Sequence, residues 1–80
     1  MSQEFISKDK LLKNLGQNIK QIRLAQNISQ EELAFRINSA RNFVGCIERA
    51  EKSPTIVTLS RISQALNVKL AELVDGIDCT

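Results

Sequence analysis

Between Ser39 and Arg49 the chain reads SARNFVGCIER. Arginine and asparagine carry planar groups with several donors, so they form paired hydrogen bonds: a guanidinium matches O6 and N7 of guanine, a carboxamide N6 and N7 of adenine. At helical spacing Phe43, Val44 and Ile47 share one face, while Arg41, Asn42, Gly45 and Cys46 stand on the other. That outer face is neither a core stripe nor a densely charged surface. It is either a face that reads another molecule's hydrogen-bonding pattern or plain solvated surface, and the segment alone does not separate the two.

Other chemistries are poorly supplied. The sequence has no histidine, which removes the commonest general base and transition-metal ligand and with them Ser-His and Cys-His pairs. Cys46 and Cys79 are too few and too far apart for a zinc site or a secreted disulfide framework. Glu31 and Glu32 are adjacent and diverge on a helix, so they do not make an acid/base pair. No enzyme, metal or cofactor is expected. Cys46 as a redox switch would need a lowered thiol pKa, and Arg49 one turn away is thin support for it.

Eighty residues allow one core. A composition of 42% hydrophobic and 25% charged residues is that of a globular domain, and no apolar run approaches the roughly 20 residues that a bilayer requires. The opening MSQEFISKDK lacks a signal-peptide pattern, so a soluble, cytoplasmic protein is expected. Net charge is +2, but residues 1–69 hold all eleven Lys and Arg against six Asp and Glu, and the last eleven residues carry only Glu72, Asp75 and Asp78. A basic body with an acidic end suits a polyanionic partner on one side and something different at the C-terminal end.

Helices must position the polar face. Leu12, Leu15, Ile19 and Ile22 predict a first helix over about 10–26, ending at Asn27. Ser29 and Glu32 read as a capping box, with Ile28 and Leu33 as its hydrophobic staple. The helix they open, with Leu33, Ala34 and Ile37, should end near Asn38, a residue that tolerates left-handed backbone. A tight turn then leads into the quoted helix, which is helix-turn-helix geometry. Beyond the Ala50–Thr55 loop, where either Ser53 or Thr55 caps the next helix, the stripe of Ile56, Leu59, Ile62, Ala65 and Leu66 runs to Asn67, and Leu70, Leu73 and Val74 suggest a short fifth helix.

From Gly16 to Val68, some two-thirds of the chain, the sequence resembles the helix-turn-helix family of phage repressors, Cro proteins and restriction-modification controller proteins. The resemblance is carried by Gly16, Ile19-Lys20-Gln21-Ile22-Arg23, Ser29-Gln30-Glu31-Glu32-Leu33-Ala34, Ile47-Glu48-Arg49, Pro54 and Leu59–Val68, in that order and spacing. It implies an all-α, five-helix, lambda-repressor-like DNA-binding domain in which helices 2 and 3 form the helix-turn-helix. Residues 1–9 are read as an N-terminal extension, which is either flexible, or continues the first helix from a Ser7 or Asp9 cap, or reaches along DNA as an arm; 10–75 are the domain with a short dimerisation helix, and 76–80 a tail. Where many relatives have glycine after Ile-Glu-Arg, this chain has Ala50, so that turn is either strained or replaced.

The resemblance also implies roles. Arg41 and Asn42 would contact base edges, with Cys46 one turn on and Gly45 either allowing close backbone approach or simply a tolerated helix-weakening residue. Gln30 would grip the DNA backbone, and Ser39, Phe43, Arg36, Arg49, Lys52 and Ser53 are further candidates from their position, with Arg36 either reaching a phosphate or pointing to solvent and Phe43 either packing over sugar edges or completing the core. Arg23 and Glu48 would form a partly buried bidentate salt bridge that sets the angle of the reading helix. Val68, Leu70, Leu73, Val74 and Ile77 are the candidate dimer surface, or else simply finish the monomer core. The function implied is regulation of transcription by a homodimer on an inverted-repeat operator of double-stranded DNA, blocking or recruiting RNA polymerase, with no membrane or small-molecule ligand. The alternative is a protein-interaction module that keeps the fold without binding DNA.

Overall fold

The computed structural model describes residues 5–76. Among them lie five helices and no strand: α1 (Lys8–Ala25), α2 (Gln30–Arg36), α3 (Arg41–Glu48), α4 (Ile56–Ala65) and α5 (Leu70–Leu73). α1 begins two residues earlier than its apolar stripe predicts, because the Ser7 hydroxyl caps it by accepting the Lys10 N–H at 3.1 Å. Of the readings open for the opening segment, continuation of the first helix from a Ser7 cap is the one found, and Lys8 and Asp9 belong to the helix. Ile77 and Cys79 lie outside the described residues.

Ser29 caps α2 as expected, its hydroxyl accepting the Glu32 N–H at 3.0 Å. The other half of the capping box is missing, since the Glu32 carboxylate takes Arg36 Nε at 2.9 Å instead of reaching back. That reciprocal contact is found at α5, where Glu72 Oε2 accepts the Lys69 N–H at 2.7 Å. Thr55, and not Ser53, caps α4, with its Oγ1 accepting the Thr58 N–H at 3.1 Å and Pro54 just ahead of the cap.

The first four helices all end in the same way. Asn27, Asn38, Ala50 and Asn67 have φ of 58, 57, 63 and 56°, and around each the two amides that follow the cap bond back into the last turn, as in Glu51 N to Cys46 O at 2.8 Å and Ala50 N to Ile47 O at 3.1 Å. Three of the four use asparagine, which visits this region at little cost. Ala50 keeps the same turn with its Cβ in the way, so the turn after α3 is strained and not replaced. Ala50→Gly is expected to raise stability by about 0.5–1 kcal/mol, which thermal denaturation would register as a melting temperature several degrees higher; a lower value would mean that the Ala50 methyl packs better than it strains.

α1 packs on α3 and α5, α2 on α3 and α4, and α4 on α5. The centre is made of Ile19, Leu33, Val44, Ile47, Ile62, Leu66 and Leu73, each at most 1% exposed. Side chains close the helix ends over this core: Gln26 Nε2 donates to Leu66 O (2.7 Å), Arg36 Nη1 to Ala65 O (3.1 Å) and Asn18 Nδ2 to Leu73 O (3.0 Å), each taking a carbonyl that a terminal turn leaves without a partner. Two expected core or surface assignments change. Ile56, taken as part of the α4 stripe, is exposed, because helical side chains lean toward the N-terminus and a first-turn residue leans off the end of the core. Leu73, a candidate for the dimer surface, is fully buried in its own chain and has no surface to offer a partner.

Candidate nucleic-acid interface

The α2-turn-α3 unit is fixed from behind. Val44 and Ile47 of α3 are 1% exposed and sit in the core with Leu33 and Ala34 of α2. Ser39 N donates to Ala34 O at 2.8 Å and closes the turn at Asn38. With its apolar side held, α3 turns Arg41 and Asn42 to solvent at its first turn. Ala40 gives this helix no side-chain cap, so the N–H groups of its first turn are left to another acceptor, for which a phosphate is well suited.

A polar network sets the helix angle. Arg23 meets Glu48 bidentately, Nε to Oε2 at 2.7 Å and Nη2 to Oε1 at 3.0 Å, with only 7% and 3% of the two side chains exposed. The third nitrogen, Nη1, donates to Ile28 O at 2.8 Å. Gln30 Nε2 adds a bond to Glu48 Oε1 at 3.0 Å. One carboxylate therefore joins α1, α2 and α3, and among the described residues no buried side-chain polar atom lacks a partner.

The outer face differs from expectation at its middle. Gly45 is buried beneath protein: a β-carbon there would lie 2.9 Å from Arg49 Nη1 and 3.6 Å from Gln30 Oε1. The space that glycine leaves is filled by the chain's own guanidinium, so close approach of DNA to the Gly45 backbone is not what the geometry provides. Arg49 is held there by Glu51, Nε to Oε2 at 3.0 Å and Nη2 to Oε1 at 3.3 Å, with a weak contact from Nη2 to Cys46 Sγ at 3.8 Å. The hydrogen bond from Arg49 and then its charge hold the Glu51 carboxyl below the usual carboxylate range.

The remaining candidates divide. Phe43 is half-buried against the core, and its ring carries Lys52 Nζ 5.9 Å from the centroid, a cation–π contact that places this lysine beside α3. Ser53 is exposed in the loop that follows. Arg36 does not join this group, since its guanidinium is taken by Glu32 and by Ala65 O at the end of α4. Two residues were not legible as part of the site: Glu51, a loop acid whose partner is two residues away, and Arg61 of α4, which borders a cleft of about 200 Å³ with Asn38, Ser39, Phe43 and Thr58. Arg61 could be found only through the packing of α4 beside the turn. Among the described residues no cluster of metal-ligating side chains occurs and no helix is long and apolar enough to cross a membrane.

A reading helix anchored by its apolar face, its polar first turn free and its flanks basic, is the architecture of a helix-turn-helix DNA-binding domain. Residues 19–73 match the helix-turn-helix family HTH_3, and the chain belongs to that family. It is 34% identical over 68 residues to an HTH-type transcriptional regulator of Sinorhizobium fredii, spanning 85% of this chain and 88% of that protein. Control protein C.BamHI of Bacillus amyloliquefaciens is 39% identical over 61 residues, 75% of each chain. The crystal structure of the restriction-modification controller protein C.AhdI from Aeromonas hydrophila superposes with a TM-score of 0.76 at 34% identity, covering 78% of this chain and 94% of that one. DNA-binding regulation of transcription, and not enzymatic chemistry, is the business of this family.

Proposed function

We propose that this protein is a sequence-specific transcription regulator that acts as a homodimer on an inverted-repeat operator, each copy laying α3 in the major groove and reading base edges with Arg41 and Asn42. Bound near a promoter, the dimer blocks RNA polymerase or recruits it. The observation that carries the reading is the division of α3: Val44 and Ile47 are locked in the core while Arg41 and Asn42 stand free at the first turn. Similarity to control proteins and to a phage immunity repressor supports the regulatory role. One such helix covers only a few base pairs, so discrimination calls for two copies with half-sites about one helical turn apart. Val68, Leu70 and the exposed Val74 are the surface proposed for pairing.

Lys52, Ser53, Ser39, Gln30 and Arg61 are proposed to meet the phosphates. Two variants separate these roles. Arg41→Ala is expected to lower affinity for the selected operator by about 1–3 kcal/mol and to relax preference at one base pair of each half-site. Lys52→Ala should weaken all sequences alike and reduce the salt slope by about 1. Selection of bound duplexes from random DNA, followed by titration at several salt concentrations, measures both; a wild-type protein that enriches no sequence would refute the reading.

A further inference from the structure

We infer that Arg49 is a second base-reading residue of α3, seated on Gly45 and oriented by Glu51. The inference rests on the DNA-binding reading above and deepens it. Position 49 caps the end of the helix, where a contact to the DNA backbone would be expected. Its side chain leans toward the N-terminus like other helical side chains, and the absent β-carbon at 45 leaves room for the guanidinium to lie back along the face. It does so, with Nη1 at 2.9 Å from where that β-carbon would be. The middle of the reading face is therefore not glycine backbone but a guanidinium, one helical turn behind Arg41.

Glu51 gives this arrangement its direction. It engages Nε and Nη2 from one side, which spends one edge of the guanidinium and leaves the Nη1–Nη2 edge. Among the described residues Nη1 donates to no protein acceptor, and Nη2 adds only the long contact to Cys46 Sγ. Two parallel N–H groups on that edge match the O6 and N7 acceptors of guanine. An arginine without such a brace samples many rotamers, and fixing it in the free protein lowers the entropic cost of using it on DNA. Since a helical turn is about 5.4 Å and base pairs stack at about 3.4 Å, the base read by Arg49 should lie one or two base pairs from that read by Arg41.

Three variants test this by sequence selection, salt titration and thermal melting, with the wild-type preference determined first. Arg49→Lys keeps the charge and loses the paired donors; it should cut discrimination at one guanine by about 5- to 150-fold while leaving the salt slope unchanged. Glu51→Gln should relax the same position, with no change in melting temperature. Gly45→Ala collides only with the far end of a flexible side chain and suits a helix better than glycine; it should fold at least as stably and still lose preference at that position. A uniform loss across all sequences with a shallower salt slope in Arg49→Lys, or a Glu51→Gln protein that binds every duplex more tightly with an unaltered preference, would make Arg49 a phosphate contact and overturn the inference. Failure of the underlying reading is distinct: the wild type would then show no preference to lose.

Discussion

Replacing Glu48 by glutamine is expected to destabilise the domain by about 3–5 kcal/mol, because it leaves the buried Arg23 guanidinium without a counter-charge. The carboxylate accepts three hydrogen bonds, two from Arg23 and one from Gln30. An amide can keep at most the acceptor side of that set. With its oxygen at the Oε1 position it still receives Arg23 Nη2 and Gln30 Nε2, but its nitrogen then faces Arg23 Nε, now separated from Oε2 by 2.7 Å, as donor against donor. Against a total stability of roughly 5–15 kcal/mol for such a domain, a loss of this size removes a large part of the folded population's margin. Thermal or urea denaturation should show it at once, and an unchanged melting temperature would mean that solvent reaches the pair. DNA affinity should fall as well, measured where the variant is still folded, because the same carboxylate joins α3 to α1 and α2. A double replacement, Arg23→Met with Glu48→Met, should recover much of the stability, since apolar pairs of similar volume often equal or exceed a buried ion pair. It should not recover binding if the network's task is orientation.

The parts of the fold that were legible in the sequence are those governed by neighbours along the chain. Ser29 announces α2, and Asn27, Asn38 and Asn67 announce three helix ends, because capping and left-handed backbone are decided within a few residues. The pairing of Arg23 with Glu48 was legible only through the family resemblance, since 25 residues separate the partners. What escaped depends on tertiary neighbours. Leu73 sits on a stripe that could equally finish a core or face a second copy, and only the packing of α5 against α1 and α4 decides that it is buried. Gly45 read as an opening toward DNA because sequence does not reveal that Arg49 lies over it. Arg36 read as a candidate for the DNA backbone because the Ala65 carbonyl that accepts it lies at the end of another helix. The acid Glu51 escaped for a different reason: a short-range pair of opposite charges on a loop is usually solvated and without effect, and its interest here comes from the face on which its arginine lies.

Gly16→Ala should lower stability although alanine is the better helix former. Gly16 is buried in the middle of α1, where an exposed glycine would cost the helix roughly 1 kcal/mol relative to alanine. A β-carbon there would stand 2.6 Å from the carbonyl oxygens of both Ile47 and Glu48 and 3.0 Å from the Glu48 carbonyl carbon. These are backbone atoms at the end of α3, so no side chain can swing aside to make room. Relief requires α1 and α3 to separate, and overpacking of this kind costs about 1–3 kcal/mol, enough to outweigh the gain in propensity. The separation acts on the contact that Arg23 and Glu48 span at 2.7 Å. Gly16→Ala and Glu48→Gln should therefore be non-additive, the double variant losing less than the two single losses combined, because each already loosens what the other depends on. Calorimetry of the four proteins in the cycle measures the coupling directly. Equal additivity would mean that the glycine contact and the ion pair hold α3 independently, whereas a rise in melting temperature for Gly16→Ala alone would show that the two helices have more freedom to part than their backbone contact suggests.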